Sequence, residues 1–505
     1  MVDNAIGPAV IAEQGLARAK ALTTPAVWFL VAITVYFALQ TVLRVLYAPS
    51  VSADDAELLI TTQSLDWGHG TQPPLYNWIQ IAAFRLFGVN LFALSAIKNL
   101  LLWVIFAAGF FVARRPLDDD RKAAIAALCL FLVPQIGWEF QRALTHSVIV
   151  LAMTMLTLLA LLRVVQAGKT VDYVLLGVFI GLGCLSKYNF IIGVAAMLVC
   201  AVTITELRPK IINVRLLLSL AIAALILSPH VLWTVSNMET VLGRTSKFKA
   251  EESASFSLTP LLAVVEATFQ SVVLPCAVFL IAAAIAWFRG SRPGPHASRP
   301  PVQVFFLRLV PVGIGLILIG SMFAGIGELK ERWLITVTFA VPLALFLLTE
   351  DLLGRRGRNA IGIVAAACAV LAGIGLGVMY LLPRSIPPEP NRPLPVIAQD
   401  IRALGYQRGT IIAGHTRLGG AMKLEFSDSR VVEPQYQMLP GGAAGPFLLV
   451  WTGDKTVPSQ VSDLYRQTCG ADLPAVTSKE LSAPYLHSSA LWRVNVVLID
   501  GCTRS

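Results

Sequence analysis

The chain has 505 residues, of which 56% are hydrophobic and only 14% charged, with a mean hydropathy of +0.70; soluble domains run about 45–50% apolar and about 25% charged, so a soluble enzyme is excluded first. Forty Lys and Arg against 30 Asp and Glu leave a formal charge of +10, which in so apolar a chain points to cationic loops held on the cytoplasmic side of a membrane rather than to nucleic acid. The seven cysteines are scattered, without a CxxC pair or a His-rich partner, and signal neither a metal site nor a disulfide scaffold.

Residues 1–25 lack the apolar core and small-residue cleavage site of a signal peptide. Eleven apolar stretches then follow that approach the length needed to cross roughly 30 Å of hydrocarbon. They lie at about 26–47, 91–113, 123–137, 144–162, 171–186, 189–206, 216–235, 262–287, 304–326, 333–349 and 360–382. The third and fifth are short. With the N-terminus inside and strict alternation, the inner loops carry Arg114, Arg115, Arg121 and Lys122; Arg163 and Lys169; Arg208, Lys210 and Arg215; Arg289, Arg292 and Arg299; and Arg355, Arg356 and Arg358. Every inner loop is basic, as the positive-inside rule requires, and eleven crossings leave the C-terminal segment outside.

Two outer segments exceed a connector. Residues 48–90 mix acids, aromatics and prolines and contain helix-like pieces suited to the interface. Residues 236–261 carry Arg244, Lys247, Lys249, Glu251 and Glu252, read either as a solvated loop face or as a grip on an acidic group. Beyond Leu382 the composition changes. IPPEPNRPLP is a boundary linker, PVIAQDIRALG and LGGAMKLEF read as helices, and GTIIA, PFLLVWT and RVNVVLI as strands. The expected architecture is an all-α polytopic membrane domain over residues 1–383, with a small C-terminal α/β periplasmic domain over 384–505. Cys469 and Cys502 are the cysteines of that domain; in an oxidising periplasm they either pair or stay separate thiols.

The first outer segment holds the chemistry. Asp54, Asp55 and Glu57 fall within four residues. Like charges this close compete for ionisation, and an interfacial setting raises at least one pKa, which suits proton abstraction from a hydroxyl. On a helix Asp54 and Glu57 share a face at i, i+3, and Asp55 points elsewhere. The competing reading is a solvated acidic turn capping a surface helix.

Asp54-Asp55-Ala56, followed by Asp66-Trp67-Gly68 and then Pro73-Pro74-Leu75, resembles the first periplasmic loop of the type C glycosyltransferases (GT-C). These are the protein O-mannosyltransferase-like membrane enzymes that include the lipid A aminoarabinose transferases. The family pattern is Asp-Glu-Ala, then Trp-Gly-Tyr-Tyr-Asp-His-Pro-Pro, which puts Asp54 on its base position and Asp55 on its second acid. Thr71-Gln72 stand where the pattern has Asp-His, with His69 earlier, so His69 and Gln72 become candidate substrate contacts. The Gly70-Thr71-Gln72-Pro73-Pro74 variant resembles the rhizobial-type galacturonosyltransferase branch. Gly183-Cys184-Leu185-Ser186-Lys187-Tyr188 is similar to the Leu-Ser-Lys-Tyr end of a family membrane helix. Gly327 to Leu334 is similar to its Lys-x-Arg-Tyr-Leu segment, with Trp333 in place of the tyrosine.

Lys187, Lys330, Arg332 and Arg142 are cations near predicted outer helix ends, against the positive-inside bias. Each either snorkels to lipid headgroups or stabilises the charge on a departing lipid phosphate. Tyr188 follows Lys187 as a substrate contact, and His146 is either a sugar or phosphate ligand or a paired core histidine. Lys98 lies inside the second span, where a charge costs roughly 2.5–3.5 kcal/mol and must face the protein. No Gly-rich phosphate loop is present, so no nucleotide cofactor is expected; the three acids admit a divalent metal but lack a clear ligand set. The expected function is an inner-membrane, inverting glycosyltransferase using a polyprenyl-phosphate sugar donor and a cell-envelope lipid or glycan acceptor. Galacturonic acid is the sugar that the branch resemblance implies. A transporter or flippase for a lipid-linked or anionic solute is the competing class, with Lys98 as its midplane charge; a non-catalytic scaffold leaves the acids without a role.

Overall fold

The computed structural model describes residues 22–242, 258–292, 298–436 and 445–502. The cationic cluster Arg244, Lys247 and Lys249, with Glu251 and Glu252, lies outside them. Helix α1 (Thr24–Tyr47) leads to two short helices, α2 (Ala53–Thr61) and α3 (Leu75–Phe87), then to α4 (Leu91–Leu117) and α5 (Asp120–Leu128). The bundle continues through α6 (Thr145–Gln166), α7 (Thr170–Cys184), α8 (Phe190–Thr203), α9 (Val214–Ser236), α10 (Thr259–Phe288), α11 (Pro301–Ala324) and α12 (Val341–Leu381). Seven helical stretches among the described residues are long and apolar enough to cross a membrane, eight when one bent pair counts as a span; α7 and α8 are shorter apolar helices.

Each of the eleven apolar stretches falls on helical structure, but three depart from a simple rod. The stretch 123–137 continues past α5 into a 3-10 turn (Cys129–Leu132) and a π turn (Gln135–Glu139), bent by 80° overall. Pro134 sits at the break and has no N–H for the ladder. The stretches 333–349 and 360–382 are joined almost continuously in α12, whose two arms meet at Gly354 in a left-handed conformation (φ 57°).

The two ends of the bundle differ in chemistry. At one end the basic loops meet: Arg114 pairs with Asp120 at 2.6 Å, Arg163 with Asp172 at 2.9 Å and Lys122 with Glu350 at 2.8 Å. At the other end α2, the segment after it and α3 meet the C-terminal domain.

That domain begins with α13 (Leu394–Ala403) and builds a five-stranded sheet from β1 (Thr410–Ala413), β2 (Arg430–Val432), β3 (Phe447–Trp451), β4 (Lys479–Pro484) and β5 (Leu491–Ile499), with α14 (Thr416–Glu425) after β1 and α15 (Ser459–Cys469) after β3. The order is β2-β1-β3-β5-β4; β1 pairs parallel with β2 and β3, and β5 antiparallel with β3 and β4. Strand alternation splits β3 between two cores. Phe447, Leu449 and Trp451 pack with Val461, Leu464 and Tyr465 of α15, while Leu448 and Val450 join the core continuous with the helical bundle. Cys469 and Cys502 form a disulfide with Cα atoms 5.4 Å apart, which settles the choice that sequence left open.

Candidate active site

Helix α2 starts where its sequence says it should. Ser52 is the N-cap, accepting from Asp55 N at 3.3 Å, while Asp55 Oδ2 accepts from Ser52 Oγ at 2.8 Å and Ser52 N at 3.4 Å. This reciprocal capping box stabilises a helix start by about 1 kcal/mol. Arg44, in the last turn of α1, donates to Ala48 O (3.0 Å) and Ser50 O (2.7 Å) and lies 4.0 Å from Asp55 Oδ2, fastening α2 to α1. Asp55 is thus engaged in the cap, and the other two acids look elsewhere.

Asp54 Oδ2 accepts a 2.6 Å hydrogen bond from Leu144 N, at the first turn of α6. Leu144 holds a left-handed conformation (φ 67°, ψ 45°), which costs a bulky L-residue roughly 1–2 kcal/mol. Burial raises the Asp54 pKa, and Asp55 and Glu57 push the same way; the Leu144 N–H and the Arg332 charge oppose them. The same turn of α6 carries Ser147, whose Oγ accepts from Lys187 Nζ at 2.8 Å. Burial, followed by the Arg332 charge, lowers the Lys187 pKa to about 8, with Asp54 acting in the opposite direction. Asn189 Nδ2 donates to Trp333 O at 2.8 Å and so joins the Lys187 turn to the Glu331–Trp333 turn that bears Arg332. One acid and two cations therefore act on one another electrostatically around the N-terminus of α6, where the helix dipole itself favours an anion.

The segment between α2 and α3 closes around this centre. His69 and Gln72 exchange backbone hydrogen bonds of 3.1 and 3.0 Å, forming a tight turn at Gly70 (φ 58°). His69 is buried, and burial lowers its pKa to about 4 against the pull of Asp66, so the ring is neutral. Leu75 N donates to Leu185 O at 3.0 Å, bringing the start of α3 against the Lys187 turn. Tyr76 is fully buried, its ring centroid 5.6 Å from that of His146, and the charges of Asp55 and Asp54 add to burial in raising its pKa. Tyr188 is exposed and stacks on His230, whose Nδ1 lies 2.6 Å from Trp67 O.

The C-terminal domain supplies the remaining wall, which its sequence did not advertise. Tyr436 Oη donates to Glu57 Oε1 at 2.7 Å, and Gly70 approaches the Tyr436 ring so closely that an added Cβ would lie 3.0 Å from Cε1. Gln63 Nε2 donates to Val431 O at 3.0 Å and Gln63 Oε1 accepts from Val431 N at 2.9 Å, so a side-chain amide pairs with the edge strand β2 as another strand would. Gly420 of α14 lies directly on α2 beside Ala56. Glu433, fully buried nearby, has a pKa raised first by burial, with Glu57 adding to it.

The sequence candidates therefore divide. Asp54, Asp55, Glu57, Lys187, Arg332, His69, Gln72 and His146 surround the junction of α2, α6 and the Lys187 turn. Lys330 is half-buried two residues before Arg332. Arg142 turns its guanidinium to Glu139 at 2.8 Å. Lys98 is buried and donates to Gln141 O at 3.0 Å and Arg142 O at 3.4 Å, so backbone carbonyls are the partners that sequence could not name. Sequence reading missed Leu144, Ser147, Gln63 and Tyr436. The first two had no signal; the Gly419-Gly420 pair inside a helix was a sign of close backbone approach. Among the described residues no three His, Cys, Asp or Glu side chains converge as a metal-binding group.

The family model described as dolichyl-phosphate-mannose-protein mannosyltransferase matches residues 71–233. The chain is 30% identical over 478 residues to the lipopolysaccharide core galacturonosyltransferase RgtB of Rhizobium johnstonii, covering 91% of this chain and 94% of that one. It is also 30% identical over 440 residues to RgtA of the same organism, covering 83% and 86%. Among solved structures, ArnT from Cupriavidus metallidurans bound to undecaprenyl phosphate superposes with a TM-score of 0.58 at 14% identity, over 94% of this chain and 97% of that one. Its apo form gives 0.56 over 92% and 97%.

Proposed function

This chain belongs to the type C membrane glycosyltransferases, the family of the lipopolysaccharide core galacturonosyltransferases, and we propose that it transfers galacturonic acid from a polyprenyl-phosphate donor to a hydroxyl of lipopolysaccharide core or lipid A at the periplasmic face. The observation that carries this reading is the recessed Asp54 carboxylate, held by Leu144 N–H and under the charge of Arg332, which also acts on Lys187. Asp54 takes the proton of the acceptor O–H. The freed oxygen attacks the anomeric carbon from the face opposite the phosphate, the carbon–oxygen bond to the phosphate breaks, and its electron pair leaves on the lipid phosphate. The product is inverted at that carbon.

Lys187, Arg332 and Lys330 stabilise the charge that grows on the departing phosphate. Fixed cations in a partly dry site do this more effectively than water, because they need no reorganisation as the charge develops. Tyr188, His69, Gln72, His146 and Arg142 line the approaches for sugar and acceptor. The basic loops gathered at the opposite end of the bundle support placing that end in the cytoplasm and therefore the acids and the C-terminal domain in the periplasm, with eleven crossings in the inner membrane. Asp55 and Glu57 orient the acceptor or tune Asp54, whose pKa both raise.

Lys98 was the main support for a transporter, and its ammonium is buried and anchored on two backbone carbonyls, of Gln141 and Arg142. The test is direct: purified full-length protein in detergent, a polyprenyl-phosphate galacturonic acid donor and lipopolysaccharide lacking that sugar, with mass spectrometry of the lipid product. A lipopolysaccharide heavier by one uronic acid residue is expected. Absence of product, with movement of the intact donor across liposomes instead, overturns the reading in favour of transport.

A further inference from the structure

A groove of about 300 Å³ lies on the side of α2 facing α3 and the C-terminal domain, lined by Leu59, Gln63, Leu65, Phe84, Arg85 and Lys423 among others. No acid is among its described lining residues, and its two charged members are both cations. Arg85 is exposed in the last turn of α3. Lys423, from α14, donates to Ser427 O at 2.7 Å and Ser429 O at 2.8 Å; an ammonium has three N–H donors, so these fix its position and leave one for an anion. The walls are mixed, with Leu59, Ile81 and Phe84 contributing apolar surface and Thr62, Gln63 and Ser64 polar groups. The groove reaches Thr62, eight residues beyond Asp54, and at 1.5 Å per residue that separates the two by roughly 12 Å along α2.

We propose that this groove is a second anchor for the acceptor. It takes a phosphate or carboxylate carried on the acceptor glycolipid, while the hydroxyl that is to react lies at Asp54. Arg85 and Lys423 clasp the anion, one from the first loop and one from the C-terminal domain, and Thr62, Gln63 and Ser64 offer it further hydrogen-bonding groups. Because the groove lies against the far end of the helix that carries Asp54, the distance between the anion and the reacting hydroxyl is fixed. Specificity then comes from a ruler: an acceptor whose anion lies at another distance from its free hydroxyl binds at one point only. The proposal rests on the transferase reading above and adds which feature of the acceptor the protein reads.

The test uses the full-length protein and the variants Arg85→Gln and Arg85→Gln/Lys423→Gln, with native acceptor and with the same acceptor after removal of its phosphates and masking of its carboxylates. For the native acceptor the double variant is expected to raise KM tenfold or more, as loss of charge-assisted hydrogen bonds does, with kcat and donor KM within twofold of wild type. For the neutralised acceptor, wild type and variants are expected to share one raised KM. Arg85→Lys should restore most of the affinity. Arg85→Gln alone, at an exposed position, gives the same reading where the double variant folds poorly. An unchanged acceptor KM in a wild-type-like, active variant overturns the groove proposal and leaves the transferase reading intact; so does an equal loss with neutralised acceptor. No transfer by wild type overturns both.

Discussion

An added carbon at Gly420 tests whether the C-terminal domain holds the acid-bearing helix in its working position. A Cβ there stands 2.4 Å from both Cα and O of Ala56, whereas ordinary contact begins at 3.4 Å. The difference, 3.4 − 2.4 = 1.0 Å, is the distance by which α14 or α2 must give way. Both atoms belong to the backbone of α2, two residues from Asp54, so no rotamer change relieves the clash. Alanine gains about 0.5–1 kcal/mol over glycine in a helix interior, while overpacking costs about 1–3 kcal/mol. The net loss of stability is therefore small, about 0–2.5 kcal/mol by the same figures. The effect on chemistry is larger, because a 1 Å misplacement of reacting groups costs about 10²-fold.

Gly420→Ala is therefore expected to lower kcat about 10²-fold while the protein still folds, read from initial transfer rates at saturating substrates beside a thermal unfolding curve. Gly419→Ala meets side chains at longer range, Val431 Cγ1 at 3.1 Å, Ala413 Cβ at 3.2 Å and Ile60 Cδ1 at 3.3 Å, needs shifts of only a few tenths of an ångström, and should cost less than Gly420→Ala. Gly315→Ala and Gly320→Ala on α11 meet nothing within 4 Å and serve as controls. A Gly420→Ala protein with kcat within twofold of wild type refutes the claim that this contact positions α2.

Tyr436→Phe removes the hydroxyl that donates to Glu57 at 2.7 Å; kcat should fall about tenfold, as for one lost hydrogen bond to a charged group, with donor KM unchanged, and an unchanged kcat would make that bond incidental. The kcat/KM for donor should follow a bell, because it reports the free enzyme. On the acid side it falls as Asp54, whose pKa is raised, takes up a proton; on the alkaline side it falls above about 8 as Lys187 loses its charge. In Lys187→Arg the guanidinium stays charged, so the alkaline limb should move upward by at least a pH unit; a limb that stays in place assigns it to another group.

Much of the fold was legible because hydrophobic runs announce themselves. The apolar segments, the basic loops and three of five strands of the C-terminal domain were read from pattern alone. β2 was not, since Arg430–Val432 is three residues long. β4 escaped because Lys479–Pro484 is mostly exposed and polar, as edge strands are. α15 hides its apolar stripe, Val461, Leu464 and Tyr465, in an otherwise polar segment. The bend after α5 combines a 3-10 turn and a π turn, and periodicity does not register a change of helix type.

The candidate site was legible where side chains carry it and illegible where the backbone does. Asp54, Lys187 and Arg332 stood out as charges in places where charges are expensive. Leu144 contributes through its N–H, and nothing in its side chain marks that role. Tyr436 and Gln63 act across a contact between segments hundreds of residues apart, which a single sequence does not reveal. No motif in the C-terminal domain points to the site, yet its Tyr436 hydroxyl reaches the acid cluster.

The central claim is that Asp54 is the base, and Asp54→Asn tests it most directly. Asparagine keeps the shape and an oxygen to accept from Leu144 N, and removes the negative charge together with the ability to take a proton at neutral pH. Single-turnover transfer with saturating donor and acceptor is the measurement, with donor binding followed separately. The transfer rate is expected to fall about 10²–10⁴-fold, with donor affinity near that of wild type. A folded Asp54→Asn protein that transfers sugar within tenfold of the wild-type rate would contradict it.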